Sequence, residues 1–522
     1  MVRSLLFLFI IFNVLSCSSG GRKDRAQLKK LFLTGQYNQA IQFIINSNFY
    51  KDKESLLLSY LEKGLIFHRQ GQYQNSIDEF EKAKSYYREL YTESLSNKVK
   101  KLIANDNYDH YYGSAYERSL INFYNSLNYY LLYQQSGDRK YLFKSRAEIL
   151  DWDSFQNIRL EAEKGNSVFK SDLLSKIFGS IIHEEIGTKQ EIQIAKILYR
   201  DSNKTLFRYY NAYPTYNEKY KDFKKDYNKL AKLPTSKVQL NYIKETPIQK
   251  DIKEFVEKQL KRIKKGKSNN VIISVQKGII PEKQPKQEYY NLEKALRANS
   301  DSPTAKAFSR LGSQVLMIFA ADKLGLIPPP SAYNPIGTHL GIQLAAVSAE
   351  GLAVRFELPH ISSKPVTESI YMVFKKGNLE KKVKLTLINS YGDIAEEAIF
   401  ENSLSRYFRL GVRLATKHLA AILGAFTTYQ SSRASLGDGM AKVAALAQYT
   451  ATLELIRSSE RADTRQWSLI PAQVFLSQLN LPEGDYETEL FIEDENSQII
   501  RKIPLGNKAI HKQKQLLNFR VL

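Results

Sequence analysis

An internal repeat near the amino end is the sequence feature that most limits the fold of this chain. The segment GQYNQAIQF at residues 35–43 recurs as GQYQNSIDEF at residues 71–80, an offset of 36 residues. Both copies place a Gly-Gln-Tyr turn directly before apolar residues at helical spacing. A unit of this length cannot bury its apolar face alone, so the repeat predicts helical hairpins that stack on one another.

The second copy, with the helix before it, resembles a tetratricopeptide repeat, whose period is about 34 residues. Gly64 is expected where two helices approach closely, and the residues expected to face inward are Ser76, Phe80 and Ala83. Helical spacing continues from Tyr116 to Tyr133 and beyond, with a break at Pro214. We therefore predict a tetratricopeptide-like α-solenoid over residues 25–267.

A different pattern begins at about residue 268, where short apolar runs alternate with turn residues. Val271–Val275 is an apolar run typical of a buried strand, and further runs follow at residues 352–388 and 473–522. Between them, residues 394–457 are rich in Ala and Leu and contain the turn Gly437-Asp438-Gly439. The chain is therefore predicted to be α+β, with a β-sandwich-like domain at 268–522 that carries a helical hairpin insertion at about 394–457.

The first seventeen residues have the order of a secretory signal, with Arg3 before the apolar run Leu5–Phe12. Val14-Leu15-Ser16-Cys17 then resembles the bacterial lipobox. This resemblance implies a signal peptide at residues 1–17, cleavage before Cys17 and a diacylglycerol on its sulfur. Several acyl chains would anchor the protein firmly, since each buried methylene contributes roughly 0.8 kcal/mol.

The residues after the lipobox, 18–24, are expected to form a flexible tether to the membrane. Because Ser18 is not Asp, enterobacterial sorting rules would direct such a lipoprotein to the outer membrane. We therefore expect the cell envelope, and the outer membrane before the inner one.

Positive charge is the main compositional bias, with 76 Lys and Arg against 54 Asp and Glu and a formal net charge of +22. An excess of this kind suits anionic lipid, acidic polymers or nucleic acid, but it also arises in chains rich in Lys, Asn and Tyr. No nucleic-acid-binding module accompanies the charge, so a nucleic acid partner is not expected.

A candidate partner surface lies where aromatic and basic residues follow one another near the end of the helical region. Its members are Tyr209, Tyr210, Tyr213, Lys261, Arg262, Lys264 and Lys265. Such residues could line a groove for a peptide or glycan. They are equally compatible with internal packing of a solenoid and with the solvated face of an amphipathic helix.

No motif for catalysis stands out. The chain has no Gly-x-Ser-x-Gly elbow and no phosphate loop, and His183-Glu184-Glu185 lacks the second histidine of a helical zinc site. We therefore predict no catalytic residue, no metal ligand and no cofactor. Paired carboxylates of glycoside hydrolases meet only in three dimensions, so the sequence leaves that alternative open.

Three short motifs resemble a family of uncharacterised bacterial lipoproteins, in which a lipobox precedes tetratricopeptide-like helices and a C-terminal domain. They are Tyr112-Gly113 with Tyr116-Glu117-Arg118, Val275-x-x-Gly278-x-x-Pro281, and Ala462-Asp463-Thr464-Arg465 with Trp467, Leu469-Ile470-Pro471 and Leu481-Pro482-x-Gly484-x-Tyr486. The family has no established activity, so the resemblance implies an architecture. Arg465 is expected to pair with Asp463 or stack on Trp467, either as a structural corner or in contact with a ligand.

These observations favour a membrane-anchored envelope lipoprotein that acts as a non-catalytic scaffold for other envelope proteins. The alternative is a lipoprotein that binds peptidoglycan or regulates its synthesis, because acidic groups and sugar faces of the wall suit basic and aromatic side chains.

Overall fold

The computed structural model describes residues 20–96, 110–162, 169, 171–218, 244–291, 353–364, 366–401, 403–459 and 461–522. The signal peptide, Cys17 and the first two residues of the expected tether lie outside these ranges, as do residues 292–352. Helices dominate the first half of the described chain and strands the second, which confirms the α+β class.

Ten α-helices precede the first strand in the described ranges. They are α1 Gly20–Leu33, α2 Tyr37–Asn46, α3 Asn48–Lys51, α4 Leu56–Arg69, α5 Tyr73–Ser96, α6 Ala115–Ser136, α7 Arg139–Ala162, α8 Leu173–Ile186, α9 Lys189–Ala212 and α10 Pro247–Lys264. Consecutive helices pack as hairpins, with α4 on α5, α6 on α7 and α8 on α9. Single 3-10 turns at Lys53–Ser55 and Pro214–Tyr216 complete the helical part.

The sequence repeat corresponds to a repeated turn. Gly35 and Gly71 both have positive φ, at 72° and 75°, which glycine adopts without steric cost. In each copy the glycine N–H donates to the carbonyl three residues back, and the following Gln N–H donates to the carbonyl five residues back. These paired bonds form a Schellman turn at the end of α1 and again at the end of α4.

Close packing between α4 and α5 agrees with the residues expected to face inward. A Cβ placed on Gly64 would lie 2.6 Å from Phe80 Cε1, so only glycine fits there. The Ser76 hydroxyl donates to the Gly64 carbonyl at 2.6 Å. Ser76, Phe80 and Ala83 are all fully buried, as the repeat pattern predicted.

The expected tether is wrong from Gly20 onward, because α1 begins there. A Cβ on Gly21 would lie 2.5 Å from the Phe49 ring, so the backbone of α1 packs tightly on α3. Ser47 Oγ donates to Asp24 Oδ1 at 2.6 Å, and Arg25 Nη2 donates to Thr464 Oγ1 at 3.1 Å. These contacts hold the segment as a helix.

Seven strands form one continuous sheet in the order β8-β7-β4-β5-β6-β1-β9. Their bounds are β1 Val271–Lys277, β4 Ser369–Lys376, β5 Leu379–Ser390, β6 Gln473–Leu479, β7 Gly484–Glu493, β8 Ile499–Ile510 and β9 Gln515–Val521. Neighbours are antiparallel except β1 and β9, which are parallel.

The sequence predicted a sandwich-like domain, in which two sheets face each other. That prediction is wrong, because the seven strands form one curved sheet. Side chains from all seven strands meet in a single apolar cluster on its inner face. Alternation of apolar residues shows that one face of each strand is buried. It does not distinguish a sheet that curls onto itself from two sheets that face each other.

The two faces of β1 contact different parts of the molecule. Val271, Ile273 and Val275 belong to the apolar cluster inside the curved sheet, whereas Ile272 belongs to the core shared with the helices. Trp467, Val474, Leu476 and Leu516 join that second core. The predicted domain boundary between residues 267 and 268 therefore separates two parts of the sequence whose side chains share one core.

Two further strands, β2 Gln284–Asn291 and β3 Ala353–His360, pair as an antiparallel ribbon. The β2 sequence QPKQEYYN is polar and carries no apolar alternation, so it leaves no periodic signal in the sequence. The β3 sequence AVRFELPH does alternate apolar residues, and it lies in the apolar run predicted at residues 352–388.

The helical insertion lies between β5 and β6, as predicted. It consists of α11 Tyr391–Glu401 and α12 Ser403–Ser459, and α12 turns back on itself at Gly437, where φ is 75° and ψ is 165°. Between residues 427 and 449 the buried side chains are Tyr429, Ala441, Ala445 and Tyr449. A seam this narrow leaves most of the side chains between residues 427 and 449 in solvent, so this end of the hairpin forms an arm. None of the described helices combines the length and apolarity required to cross a bilayer.

We expect Gly64→Ala to lower the free energy of unfolding by about 1–3 kcal/mol, because the added methyl overpacks the contact with Phe80. Phe80 cannot move aside easily, since its ring packs against both Tyr124 and Trp467. Chemical denaturation measures the change. Gly439→Ala is the control, because nothing lies within 4 Å of an added Cβ there. Equal stability of the two variants would contradict the packing argument.

Candidate functional site

The three motif segments that are distant in sequence meet at the junction between the helices and the sheet. Trp467 N–H donates to Glu117 Oε1 at 2.7 Å, and the next residue, Ser468, donates its N–H to Glu62 Oε1 at 2.6 Å. Gln466 Nε2 donates to the Pro281 carbonyl at 3.1 Å. The junction therefore joins α4, α6, the turn after β1 and the segment before β6.

Arg465 has the structural role foreseen for it. Its Nε and Nη2 donate to the two carboxylate oxygens of Asp463, each at 2.9 Å, and its Nη1 donates to the Glu54 carbonyl at 2.9 Å. Burial opposes ionisation of Asp463, but the guanidinium prevails and holds the pKa of that carboxyl below its usual value. With only 7% of its side chain exposed, Arg465 fixes the sheet segment onto the helices.

Glu62 and Glu117 are fully buried. Burial, with a smaller contribution from the nearby Glu117 carboxylate, raises the pKa of Glu62 to about 8, although backbone N–H groups stabilise its ionised form. Tyr111 Oη donates to Glu117 Oε1 at 2.6 Å. Each carboxyl group accepts a backbone N–H of the junction, so this pair has a structural role and gives no support to glycoside hydrolysis.

The candidate partner surface is wrong for Tyr209 and Tyr213. These two side chains are each only 1% exposed and pack edge to face with Tyr216. Tyr209 Oη contacts Asn389 Oδ1 at 3.2 Å, so this cluster packs the helices onto β5. The side chain of Tyr210 lies outside the described residues.

The basic part of the same surface divides into two groups. Arg262 is held inside, since its guanidinium pairs with Glu184 and donates to Gln259 Oε1 at 2.8 Å. Lys261, Lys264 and Lys265 are exposed at the end of α10. Only these lysines are therefore available to a partner.

A cavity of about 280 Å³ opens beside the junction, between the end of α4 and the strands β1 and β9. Its wall is formed by Phe32, Leu65, His68, Arg69, Gln70, Gly71, Tyr73, Gln276, Asn518 and Arg520. The wall contains two arginines and no carboxylate. It therefore has positive charge without a matching acidic group in its own lining.

A directed chain of hydrogen bonds runs along this cavity from the sheet to the helical repeat. On the sheet side, Tyr124 Oη donates to Gln276 Oε1 at 2.8 Å, and Gln276 Nε2 donates to Asn518 Oδ1 at 3.3 Å. Asn518 Nδ2 then lies 3.3 Å from His68 Nε2, which accepts if the ring proton is on Nδ1.

The hydrogen bonds on the helical side of the cavity fix that tautomer of His68. Asn128 Nδ2 donates to Ser76 Oγ at 2.8 Å, and Ser76 Oγ donates to the Gly64 carbonyl. Asn128 Oδ1 is therefore the atom that faces His68 Nδ1, at 2.5 Å, and it accepts the ring proton. Burial lowers the pKa of His68 to about 4, so the imidazole is neutral at pH 7.

Arg520 is a cavity residue whose hydrogen bonding is incomplete, as is Gln70, whose Oε1 is buried without a donor among the described residues. Arg520 Nη2 donates to the Leu469 carbonyl at 2.8 Å, whereas its Nε and Nη1 are buried without an acceptor among the described residues. Burial lowers the pKa of Arg520 to about 10, which still leaves it charged at neutral pH. An unpaired buried charge of this kind is costly to a fold.

Comparison with protein-family models, curated proteins and solved structures found no match for this chain. The likeness to uncharacterised bacterial lipoproteins therefore rests on the motif residues, and it stays an expectation. Within the described ranges, no group of three or more His, Cys, Asp or Glu side chains is placed to hold a metal ion.

Sequence analysis missed the buried charged residues of the junction and the cavity, although two of them carry a signal. Glu62 interrupts the apolar run of α4, and Arg520 interrupts the apolar run LLNFRVL of the last strand. A charged residue within an apolar run can mark a buried ionisable group that needs partners. Only the structure shows what those partners are.

Glu62→Gln should flatten the dependence of stability on pH. Between the usual carboxyl pKa of 4.5 and the folded value of about 8, the folded chain retains a proton that the unfolded chain has lost. Wild-type stability should therefore fall as pH rises through that window. Melting temperatures from pH 4.5 to 8.5 test this, with exposed Glu257→Gln as the control. The idea fails if the profile of Glu62→Gln matches that of wild type.

Proposed function

We propose that this chain is a membrane-anchored envelope lipoprotein, held through a lipid on Cys17, that acts as a non-catalytic scaffold for other envelope proteins. The observation that carries the proposal is the combination of one rigid body, built on a core shared by helices and sheet, with a helical arm that extends from it. A rigid body with an arm is suited to holding partners at a fixed distance from a membrane.

The tetratricopeptide-like solenoid is part of the proposal. The Schellman turn supports it because it recurs at the end of α1 and of α4, and the contact of Gly64 with Phe80 supports it because it lies where the repeat pattern predicts close packing. Stacked hairpins of this kind offer extended surfaces to protein partners. The three lysines at the end of α10 add positive charge to one edge.

The arm supplies a second surface for a partner. Residues 403–436, if helical throughout, span about 50 Å at 1.5 Å per residue. Near its turn lie Leu436, Met440 and Val443, with exposed fractions of 53%, 60% and 58%. Three large apolar side chains in solvent at the end of an arm suit an apolar patch on another envelope protein.

The cell-wall alternative keeps its electrostatic support and loses two of its aromatic residues, because Tyr209 and Tyr213 are buried. Lys261, Lys264 and Lys265 alone would give weak, salt-dependent binding to acidic polymers. We therefore favour the protein scaffold.

Cys17→Ala should abolish both the acyl mass and the membrane association of the protein expressed in a bacterial host. Intact-mass measurement and detergent partitioning provide the test. Wild type should carry a lipid and partition with membranes, because several acyl chains anchor firmly. Wild type that is unmodified and soluble would contradict the lipoprotein assignment.

The arm is tested by crosslinking in membranes followed by purification of the tagged full chain. We expect Met440→Gln with Val443→Gln to reduce recovery of a reproducible envelope partner by at least tenfold. The matched control is Ile499→Gln with Ile500→Gln, which alters two exposed apolar residues on β8. Equal recovery by the two variants would exclude the arm as the docking surface, and no reproducible partner for wild type would exclude the scaffold.

A further inference from the structure

We propose that the cavity between α4 and strands β1 and β9 binds a small organic oxyanion, whose carboxylate or phosphate group pairs with Arg520. This inference goes beyond the scaffold function and does not depend on the lipid anchor. It assigns a ligand site to a part of the molecule for which the sequence offered none.

The first argument is the unsatisfied guanidinium. Arg520 uses Nη2 on the Leu469 carbonyl, while its Nε and Nη1 are buried without an acceptor in the described part of the chain. Guanidinium presents its N–H groups in a planar fork that matches two oxygens of a carboxylate or phosphate. A bound oxyanion would supply both the missing acceptors and the missing negative charge.

The second argument is the polarity of the remaining wall. In the series of hydrogen bonds from Tyr124 to Gly64, the side-chain oxygens of Gln276 and Asn518 already accept from protein donors. Each of these two side-chain amides has a second N–H hydrogen that this series does not use. His68 spends its Nδ1 proton on Asn128 and is neutral. One unpaired acceptor of the wall is Gln70 Oε1, which is buried without a donor among the described residues. The N–H groups that Arg520, Gln276 and Asn518 leave for a ligand outnumber it, which favours an anion over a cation.

The third argument is the charge of the cavity. Burial lowers the pKa of Arg520, and so does the charge of Arg69, whereas Tyr124 and Tyr37 raise it. Arg69 lines the cavity together with Arg520, and the two guanidinium groups repel each other. No acidic side chain of the wall offsets them. An anionic ligand would relieve this repulsion.

Size and the apolar side chains define the ligand further. The volume of about 280 Å³ lies just below the range of about 300–1,000 Å³ that is usual for ligand pockets. Phe32, Leu65 and Tyr73 contribute apolar and aromatic surface opposite the polar groups. The geometry thus fits a small molecule with one oxyanion group and a compact apolar part.

Isothermal titration of the full lipidated chain in detergent tests the proposal with three probes of similar shape: benzoate, phenyl phosphate and neutral benzamide. We expect saturable binding of benzoate, of phenyl phosphate or of both, and no comparable binding of benzamide. Benzoate alone would identify a carboxylate site and phenyl phosphate alone a phosphate site. Binding of neither, or of benzamide equally well, would overturn the proposal.

Variants locate the binding. Arg520→Gln should weaken the bound probe at least tenfold, and Arg520→Lys should also weaken it because an ammonium cannot form the fork. If the Arg520 variants do not fold, Arg69→Gln, a substitution at an exposed position of the cavity wall, replaces them as the test of where the probe binds. Surface Arg501→Gln is the control and should leave affinity unchanged. The assignment is wrong if Arg520→Gln and Arg69→Gln both bind the probe as tightly as wild type does. If the Arg520 variants do not fold, unchanged affinity of Arg69→Gln is enough to contradict it.

Discussion

Two buried carboxylates hold the sheet against the helices. Glu117 and Glu62 accept the N–H groups of the consecutive residues Trp467 and Ser468, so each backbone donor that the junction removes from water regains an acceptor. Removing either carboxylate would leave a buried amide unpaired, at a cost of about 1–3 kcal/mol. Because the acceptors sit on α4 and α6 and the donors precede β6, the orientation of the two halves follows from these bonds.

The placement of Trp467 and the cavity follows from the same bonds. With its backbone fixed, the Trp467 ring packs against Phe80 and Tyr124, which belong to two different helical hairpins. Tyr124 then begins the hydrogen-bonded chain that crosses to Gln276 and returns through His68 to the repeat. The packing of the repeat and the polarity of the cavity wall are thus two results of one junction.

Sequence patterns predicted the elements better than their assembly. Local features sufficed for the Schellman turns, for Gly64 against Phe80 and for the turn at Gly437, because glycine and helical spacing act over a few residues. The curvature of the sheet depends on pairings such as β1 with β9, which no local pattern encodes. The tyrosines near residue 210 were misjudged, since an aromatic stripe has the same spacing whether it faces a ligand or β5. Arg520 and His68 are brought together only by the tertiary fold.

The parallel pairing of β9 with β1 also determines the order of assembly. Gln276 and Asn518 are bonded across 242 residues of sequence, and Arg520 lies on the same late strand. Such distant pairings are slow to form, because a long loop must close before they contribute. During synthesis the helical hairpins can form early, whereas the cavity acquires Arg520 only when β9 docks. Binding at the proposed site would therefore report completion of folding, and a chain stalled before that step would have its helices but an incomplete cavity.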